Sequence, residues 1–426
     1  MSRMSIFIGG RWDIFSKDMV VRYCMRSVIF NCVICLLCFF LLISCESKKS
    51  DNKDLLSINI AESYEDKSVV LLSTYATAVD YIPLETGRES VLPTADLLSV
   101  QCLDNSFLVY SAIYPKRVPL LFGYDGAFKR KVGSVGRAVN EVVNVRKAFI
   151  NEDTEEIIVA DDDKLLFYDS AGNFKRTMDL FHNTLPFRPF CLGANCYVYL
   201  KKPNILSSSH HNDKEYLIFV DSIGRELRRR VLDIKEVKTH NVNKVDGGDR
   251  SKVAAKLFDA GGEVVMYGLN DTIYSLNDAD SCTGAKYKIE YGKYSTGAYK
   301  GASLWYFDGG FIETDNFITL ITLFPRSEFA NIGSEYRLSN SVYDKQSKRT
   351  YTLKYDEYYE MAGFKNDIDG GMPFFPSYCK NEKMYQFVDA GKFIEMAEFS
   401  TSEKMKMVAS KLTIESNPVL VVVTLR

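Results

Sequence analysis

A chain of 426 residues with 46% hydrophobic residues, 53 Lys and Arg against 55 Asp and Glu, and a formal net charge of −2 is too apolar to be disordered and too evenly charged to carry an electrostatic footprint for nucleic acid. Its 27 Phe and 26 Tyr favour half-buried strands. Behind the leader described next, about 380 residues remain, enough for two or three domains or for one large closed repeat architecture.

The chain opens with a secretory signal. Val28 to Ile43 is an almost unbroken apolar run preceded by Arg22 and Arg26, the basic and apolar regions of a signal peptide. The run is shorter than the roughly 20 residues that a helix needs to span the hydrocarbon core. Its end, Leu42-Ile43-Ser44-Cys45, resembles the lipobox of bacterial lipoproteins, which implies acylation of Cys45 and cleavage before it. Two or three acyl chains give stable anchoring where one is marginal. Residues before Met25 fit such a signal poorly, so a start at Met19 or Met25 is expected. The polar stretch Glu46 to Asp54 reads as a flexible tether.

Of the ten cysteines, Cys24, Cys32, Cys35 and Cys38 fall in or before the leader, and Cys45 carries lipid. The remainder, Cys102, Cys191, Cys196, Cys282 and Cys379, is odd in number and no disulfide framework. Cys191 and Cys196 flank a turn that could join their sulfurs, although small buried cysteines are common core residues. With no C-x-x-C pair behind Cys45 and no ligand spacing among His182, His210, His211 and His240, a zinc site is not expected.

Beyond the tether come short strands separated by turn chemistry, among them Phe107 to Tyr110, Glu156 to Ala160, Lys164 to Tyr168, Tyr216 to Val220, Phe317 to Leu323 and Lys383 to Val388. Three copies of one design recur. An apolar strand ends in Asp125, Asp169 or Asp221, a turn holding Gly126, Gly172 or Gly224 follows, and an amphipathic strand returns. Asp bonds turn amides and Gly takes positive φ, so each copy is a hairpin with a mechanism. Tyr343-Asp344-Lys345 with Thr350 to Leu353 is a later copy. The spacing, roughly forty to sixty residues, is that of four-stranded propeller blades, and six of them fill the length. Arg228, Arg229 and Arg230 read as the solvated end of a strand. Helices are few: Ala390 to Phe399, and Glu403 to Ser410 capped by Ser402.

These features resemble the six-bladed β-propeller lipoproteins, NHL-like in blade pattern, of gut-type Gram-negative bacteria. The match runs through Val79-Asp80-Tyr81-Ile82-Pro83-Leu84, Lys131-Val132-Gly133-Ser134-Val135-Gly136, Asn270-Asp271-Thr272-Ile273-Tyr274, Asn366-Asp367-Ile368-Asp369-Gly370-Gly371-Met372-Pro373 and Asn417-Pro418-Val419-Leu420-Val421. It departs at Arg137 to Glu141, where relatives carry more glycine and a proline. The resemblance implies an all-β chain: a signal peptide over 1–44, the lipidated Cys45 and a flexible tether over 45–68, and a six-bladed β-propeller over 69–426. It also implies a bacterial cell-envelope location as an outer membrane lipoprotein. Val79 to Leu84 and Val419 to Leu425, both strand-like, are the ends that would share a blade and close the ring.

Chemistry is harder to place. Asp367-Ile368-Asp369-Gly370 fails as an EF-hand, because Lys365 takes the first ligand position and Pro376 that of the bidentate Glu. It reads as a structural turn or, failing that, as a ligand-facing acidic loop. Asp161-Asp162-Asp163 reads as an acidic hairpin before a cation site. Trp305, Phe374 and Phe375 could stack on sugar rings at a propeller mouth, but blade core is the commoner use. Ser170, Ser222 and Thr272 directly follow Asp and directly precede an apolar residue, which resembles the O-glycan acceptor of exported proteins in one Gram-negative group. No motif for nucleophilic catalysis, nucleotide or cofactor binding is present. Two functions are therefore carried forward. One is a membrane-anchored binding or scaffold propeller for a glycan, peptide or envelope protein; the other is a propeller-type glycan lyase or hydrolase. An enzyme should cluster Asp, Glu, His or a metal at the central channel, whereas a binder is served by aromatic and neutral polar groups.

Overall fold

The computed structural model describes residues 55–111, 117–179, 188–201, 215–232, 255–267, 271–276, 282–294, 302–305, 309–325 and 336–426. Signal peptide and Cys45 lie outside them, as do all four histidines.

Six small sheets form the six-bladed propeller that the repeat predicts. The first blade is Ser99–Leu103, Ser106–Tyr110, Leu120–Gly123 and Phe128–Lys131; the second is Lys147–Asn151, Glu156–Ala160, Lys164–Tyr168 and Phe174–Asp179. The third is Phe190–Cys191, Tyr197–Lys201, Glu215–Val220 and Glu226–Leu232. The fourth is built from Lys256–Asp259, Val264–Tyr267, Thr272–Leu276 and Cys282–Glu290. The fifth centres on Phe311–Glu313, Phe317–Pro325, Tyr336–Asp344 and Arg349–Leu353. Within a blade the middle strands are buried on both faces, which is why they read as continuous apolar runs: all of Glu156–Ala160 is buried. The outermost strand is wetted, and Phe174–Asp179 is accordingly amphipathic.

The sixth blade closes the ring. Tyr378–Lys380, Lys383–Val388 and Val419–Leu425 supply its inner strands, and Ala76–Pro83 from near the start of the body is the outermost. The register pairs Val79 with Val423, Tyr81 with Val421 and Pro83 with Val419, so the expected sharing of one blade by both ends is what the chain does. Between Val388 and Val419 come the two expected helices, Ala390–Phe399 and Glu403–Ala409, the second capped by Ser402, whose Oγ accepts from the Met405 N–H at 3.1 Å.

The ordered body starts earlier than residue 69. Leu56–Asn59 adds a parallel strand to the outer edge of the fourth blade, pairing Leu56 with Tyr287. A short helix, Ile60–Glu65, follows, and Lys67–Ser68 then pairs in parallel with Thr352 and Leu353 of the fifth blade. Tyr64 stacks on Phe324 at 3.7 Å, and Ser63 Oγ lies 2.9 Å from Thr352 Oγ1. Residues 56–68, expected as tether, are thus a strap across two blade edges. The tether expectation rests on the polar run before Leu55; buried Ile58 anchors the strand and buried Ile60 the helix that follows it.

The repeated hairpins follow the predicted chemistry. Asp169 accepts from the Asn173 N–H at 2.7 Å, Asp221 from the Ile223 and Arg225 N–H groups at 3.0 and 2.8 Å, and Asp125 from Ala127 at 3.0 Å. Gly126 is needed twice over. Its φ is +84°, and a Cβ there would meet the Pro83 carbonyl oxygen at 2.1 Å. Gly126→Ala should cost roughly 2 kcal/mol or more through strain and displacement of the closing strand. A lowered urea midpoint with unchanged far-UV circular dichroism is the expected result.

Candidate functional site

The first strands of the blades and the hairpins that follow them converge on a cavity of about 430 Å³ in the central channel, within the range of small-ligand sites. The second blade contributes Lys147, Phe149, Ile150, Asn151, Glu152 and Asp153; the third contributes Phe190 to Gly193. Asp259 and Gly262 to Val264 come from the fourth, Gln101 from the first, and Tyr378 and Lys380 from the sixth. Five blades therefore meet at one wall.

Both signs of charge are present. Lys147 is only 4% exposed, and its ammonium lies 2.9 Å from the centre of the Phe190 ring, a cation–π contact that offsets desolvation. Lys380 Nζ is 2.7 Å from Glu152 and donates to the Cys102 carbonyl at 3.3 Å. Across the cavity, Asp259 accepts from the Gly261 and Gly262 amides at 3.2 and 3.1 Å. Glu263 is ion-paired to Lys286 at 2.6 Å and accepts from the Ser275 hydroxyl. Asp153 stands exposed at the rim. Neutral polar groups fill the rest: Tyr378 Oη donates to Gln101 Oε1 at 3.4 Å, and Asn151 Nδ2 reaches the Tyr197 hydroxyl at 3.2 Å. Cys191 donates its thiol to the Gly193 carbonyl at 3.0 Å, and burial pushes that thiol up to about 11, so it is no nucleophile at neutral pH.

This lining is neither of the two expected. Four carboxylates face the cavity, yet two of them are held in ion pairs, and no group of three His, Cys, Asp or Glu among the described residues has metal-holding geometry. Aromatic and neutral polar groups share the wall with them. The residues that matter here, Lys147, Lys380, Asp259 and Glu263, were missed because nothing local marks them. They are brought together only by the positions of first strands around the ring.

The residues singled out in sequence lie elsewhere. Asp369 accepts from Asn366 at 2.7 Å, Ser402 Oγ at 2.6 Å, the Gly371 amide at 3.1 Å and Tyr81 Oη at 3.2 Å, tying the loop to the helix pair and the closing strand. Asp367 accepts from the Ser73 amide and hydroxyl at 2.9 and 2.5 Å. Burial alone would raise its carboxyl, but the Ser73 bonds outweigh that and hold it below the usual range. Neither aspartate lines the cavity. Phe374 and Phe375 are 1% and 7% exposed and belong to the core around the sixth blade, so their faces are covered. Trp305 is half-buried, with its backbone N–H bonded to the Ile321 carbonyl at 2.8 Å, and is not a cavity residue.

Asp161 accepts from the Val143 and Asn144 amides at 2.9 and 2.8 Å, and Asp162 pairs with Arg146 at 2.5 Å. That is a tight acidic hairpin. Cys191 pairs with Tyr197 in the ladder, which sets Cys196 opposite Leu192 and sends the two sulfurs to opposite faces of the blade. They are not bridged. Ser170 is exposed and Ser222 half-exposed at their hairpin tips, while Thr272 is 6% exposed within a strand. A glycan on Thr272 does not fit the folded chain.

A family model described as "Domain of unknown function (DUF4934)" matches residues 55–424. No curated protein matches the sequence. Among solved structures, the chain is similar to a Bacteroides fragilis protein provisionally described as exported, with a TM-score of 0.57 at 16% identity over 87% of this chain and 99% of that one. BamB from Moraxella catarrhalis gives a TM-score of 0.32 at 13% identity over 68% and 69% of the two chains. The Pan2 WD40 domain of Neurospora crassa gives 0.37 at 9% identity over 76% and 82%. At these identities only the first speaks, and it speaks for fold.

Proposed function

The chain belongs to the DUF4934 family, and from that premise and the channel geometry we propose that it is a lipid-anchored, non-catalytic binding propeller of the bacterial cell envelope. The observation that carries this reading is the cavity of about 430 Å³ at which five blades meet. Its aromatic, amide and charged groups are held by internal contacts as a preformed surface, and a preformed site loses little entropy on binding. Exposed Asp153 and half-buried Asp259 and Glu263 offer acceptors, the Lys380–Glu152 pair brings both signs of charge, and Asn151, Tyr378 and Gln101 form the polar wall behind them. A polar ligand of glycan or peptide type suits such a wall better than an apolar one.

Anchoring rests on Leu42-Ile43-Ser44-Cys45. Support for the envelope comes from the likeness to a protein described as exported, and no described helix is long and apolar enough to cross a membrane. The outer membrane is the proposed location. Changing Cys45 to Ala should abolish incorporation of radiolabelled fatty acid and move the protein from the membrane fraction; labelling that persists would remove the anchor from this account.

A further inference from the structure

The outer strands of the six blades are not treated alike. Those of the fourth and fifth are covered by the parallel strands Leu56–Asn59 and Lys67–Ser68. Those of the first three are sheet edges: Phe128–Lys131, Phe174–Asp179 and Glu226–Leu232. Together these three strands carry Lys129, Arg130, Lys131, Lys175, Arg176, Arg228, Arg229 and Arg230 against only Asp179 and Glu226. Charge of any kind blunts an open edge. A single sign repeated on three consecutive blades goes further than edge protection requires.

Apolar side chains are interleaved with that charge. Phe174, Leu227 and Val231 on the same strands are 40%, 50% and 44% exposed. All of these cations are engaged, some by neutral groups that leave their charge uncompensated: Lys129 donates to the Asn105 carbonyl at 2.9 Å and Arg130 to Asn173 Oδ1 at 3.0 Å, whereas Lys175 and Arg176 share the buried Glu156 at 2.8 and 3.0 Å and Arg229 pairs with Glu226. Lys131 reaches Glu89 at 3.5 Å with both side chains well exposed, a pairing of the kind that water and salt already weaken. Exposed basic and apolar groups in alternation are what an anionic bilayer interface attracts.

The position of the strand Leu56–Asn59 agrees. Leu56 lies on the outer edge of the fourth blade, next around the ring to the third. Cys45 to Asp54 span at most about 35 Å when fully extended. A lipid on Cys45 would therefore hold a bilayer no farther than this from the edge of the fourth blade, whose neighbour is the third. We propose that the outer strands of the first three blades form a basic rim that docks on the phosphate headgroups of an anionic bilayer. This rests on the membrane-anchored reading above.

The test mixes the mature protein purified from cells with excess vesicles, either of phosphatidylcholine alone or with about 30% phosphatidylglycerol, and follows acylation of individual lysines by mass spectrometry. Labelling of Lys129, Lys131 and Lys175 should slow roughly fivefold or more on the anionic vesicles, and the protection should vanish in about 1 M salt. Lys129→Glu combined with Lys131→Glu, with unchanged melting, should remove it too. Equal labelling on both vesicles overturns the proposal, as does equal protection by a soluble polyanion without vesicles. The N-terminal peptide in the same digest reports the acyl group, so failure of the anchor and failure of the rim are seen separately.

Discussion

Deletion of Pro418–Arg426 should leave no cooperatively folded propeller. Val419, Leu420, Val421, Val422 and Val423 are each at most 4% exposed, and burying such side chains contributes about 1.5–3 kcal/mol apiece, roughly 10 kcal/mol together. That equals the whole stability of an ordinary domain, about 5–15 kcal/mol. The loss also spreads. The strand pairs with Lys383–Val388 on one side and Ala76–Pro83 on the other, so its removal exposes two ladders and cuts the closing strand from its blade. The expected result is a chain without a sigmoidal urea transition and with a dye-binding, partly collapsed signature. A truncated protein that melts within a few degrees of the full chain would mean that the ring does not depend on this closure.

The second large effect is expected at Glu313, which ends the first strand of the fifth blade and lies between the fourth and fifth. Its carboxylate is 2.8 Å from Lys286 Nζ and 2.7 Å from Lys345 Nζ, and it accepts from Tyr287 Oη at 2.5 Å. Lys286 also pairs with Glu263 in the cavity wall, so this network supports the candidate site. The Glu313 side chain is 12% exposed, and those of Lys286 and Lys345 are 29% and 25%. Glu313→Ala takes the counter-charge from Lys345 and leaves Lys286 only Glu263, at a cost of about 2–3 kcal/mol, less than for a fully buried pair because water reaches both lysines. Burial works to raise the Glu313 carboxyl, but hydrogen bonds from Lys286, Lys345 and Tyr287 outweigh it and hold it below the usual 4.5. A depressed carboxyl contributes stability above pH 4.5, and that contribution is lost as pH falls through the lower folded value. The gap between wild type and Glu313→Ala in urea unfolding should therefore be full at pH 7 and narrow below about pH 4. A gap independent of pH would assign the loss to packing.

Architecture was legible where short-range chemistry repeats. Asp125-Gly126, Asp169 with Gly172 and Asp221 with Gly224 announce hairpins because a turn amide needs an acceptor and positive φ needs glycine, and these copies set the blade count. The helix pair was legible through Ser402 and its cap. The strap was not, since Leu56–Asn59 has too few residues for a clear alternation and follows a polar run. The site was hidden for a different reason. Lys147, Asp259 and Lys380 are more than a hundred residues apart in sequence, and only the ring brings them to one wall. Asp367 and Asp369 stood out in sequence because acidic glycine-rich turns do, yet their oxygens are taken up by Ser73, Ser402 and Asn366. Covered aromatic residues such as Phe374 look the same in sequence as exposed ones.

The most direct test of channel binding is native mass spectrometry of the purified protein after incubation with peptides and oligosaccharides released from the envelope of the source cells. Wild type should be measured beside Ile150→Trp, which fills the cavity, and Asp153→Arg, which reverses charge at its rim. The account predicts one ligand per wild-type chain, recovered with its mass unchanged after prolonged incubation, and none on either variant. Product masses that accumulate with wild type alone, or a ligand held equally by all three proteins, would contradict it.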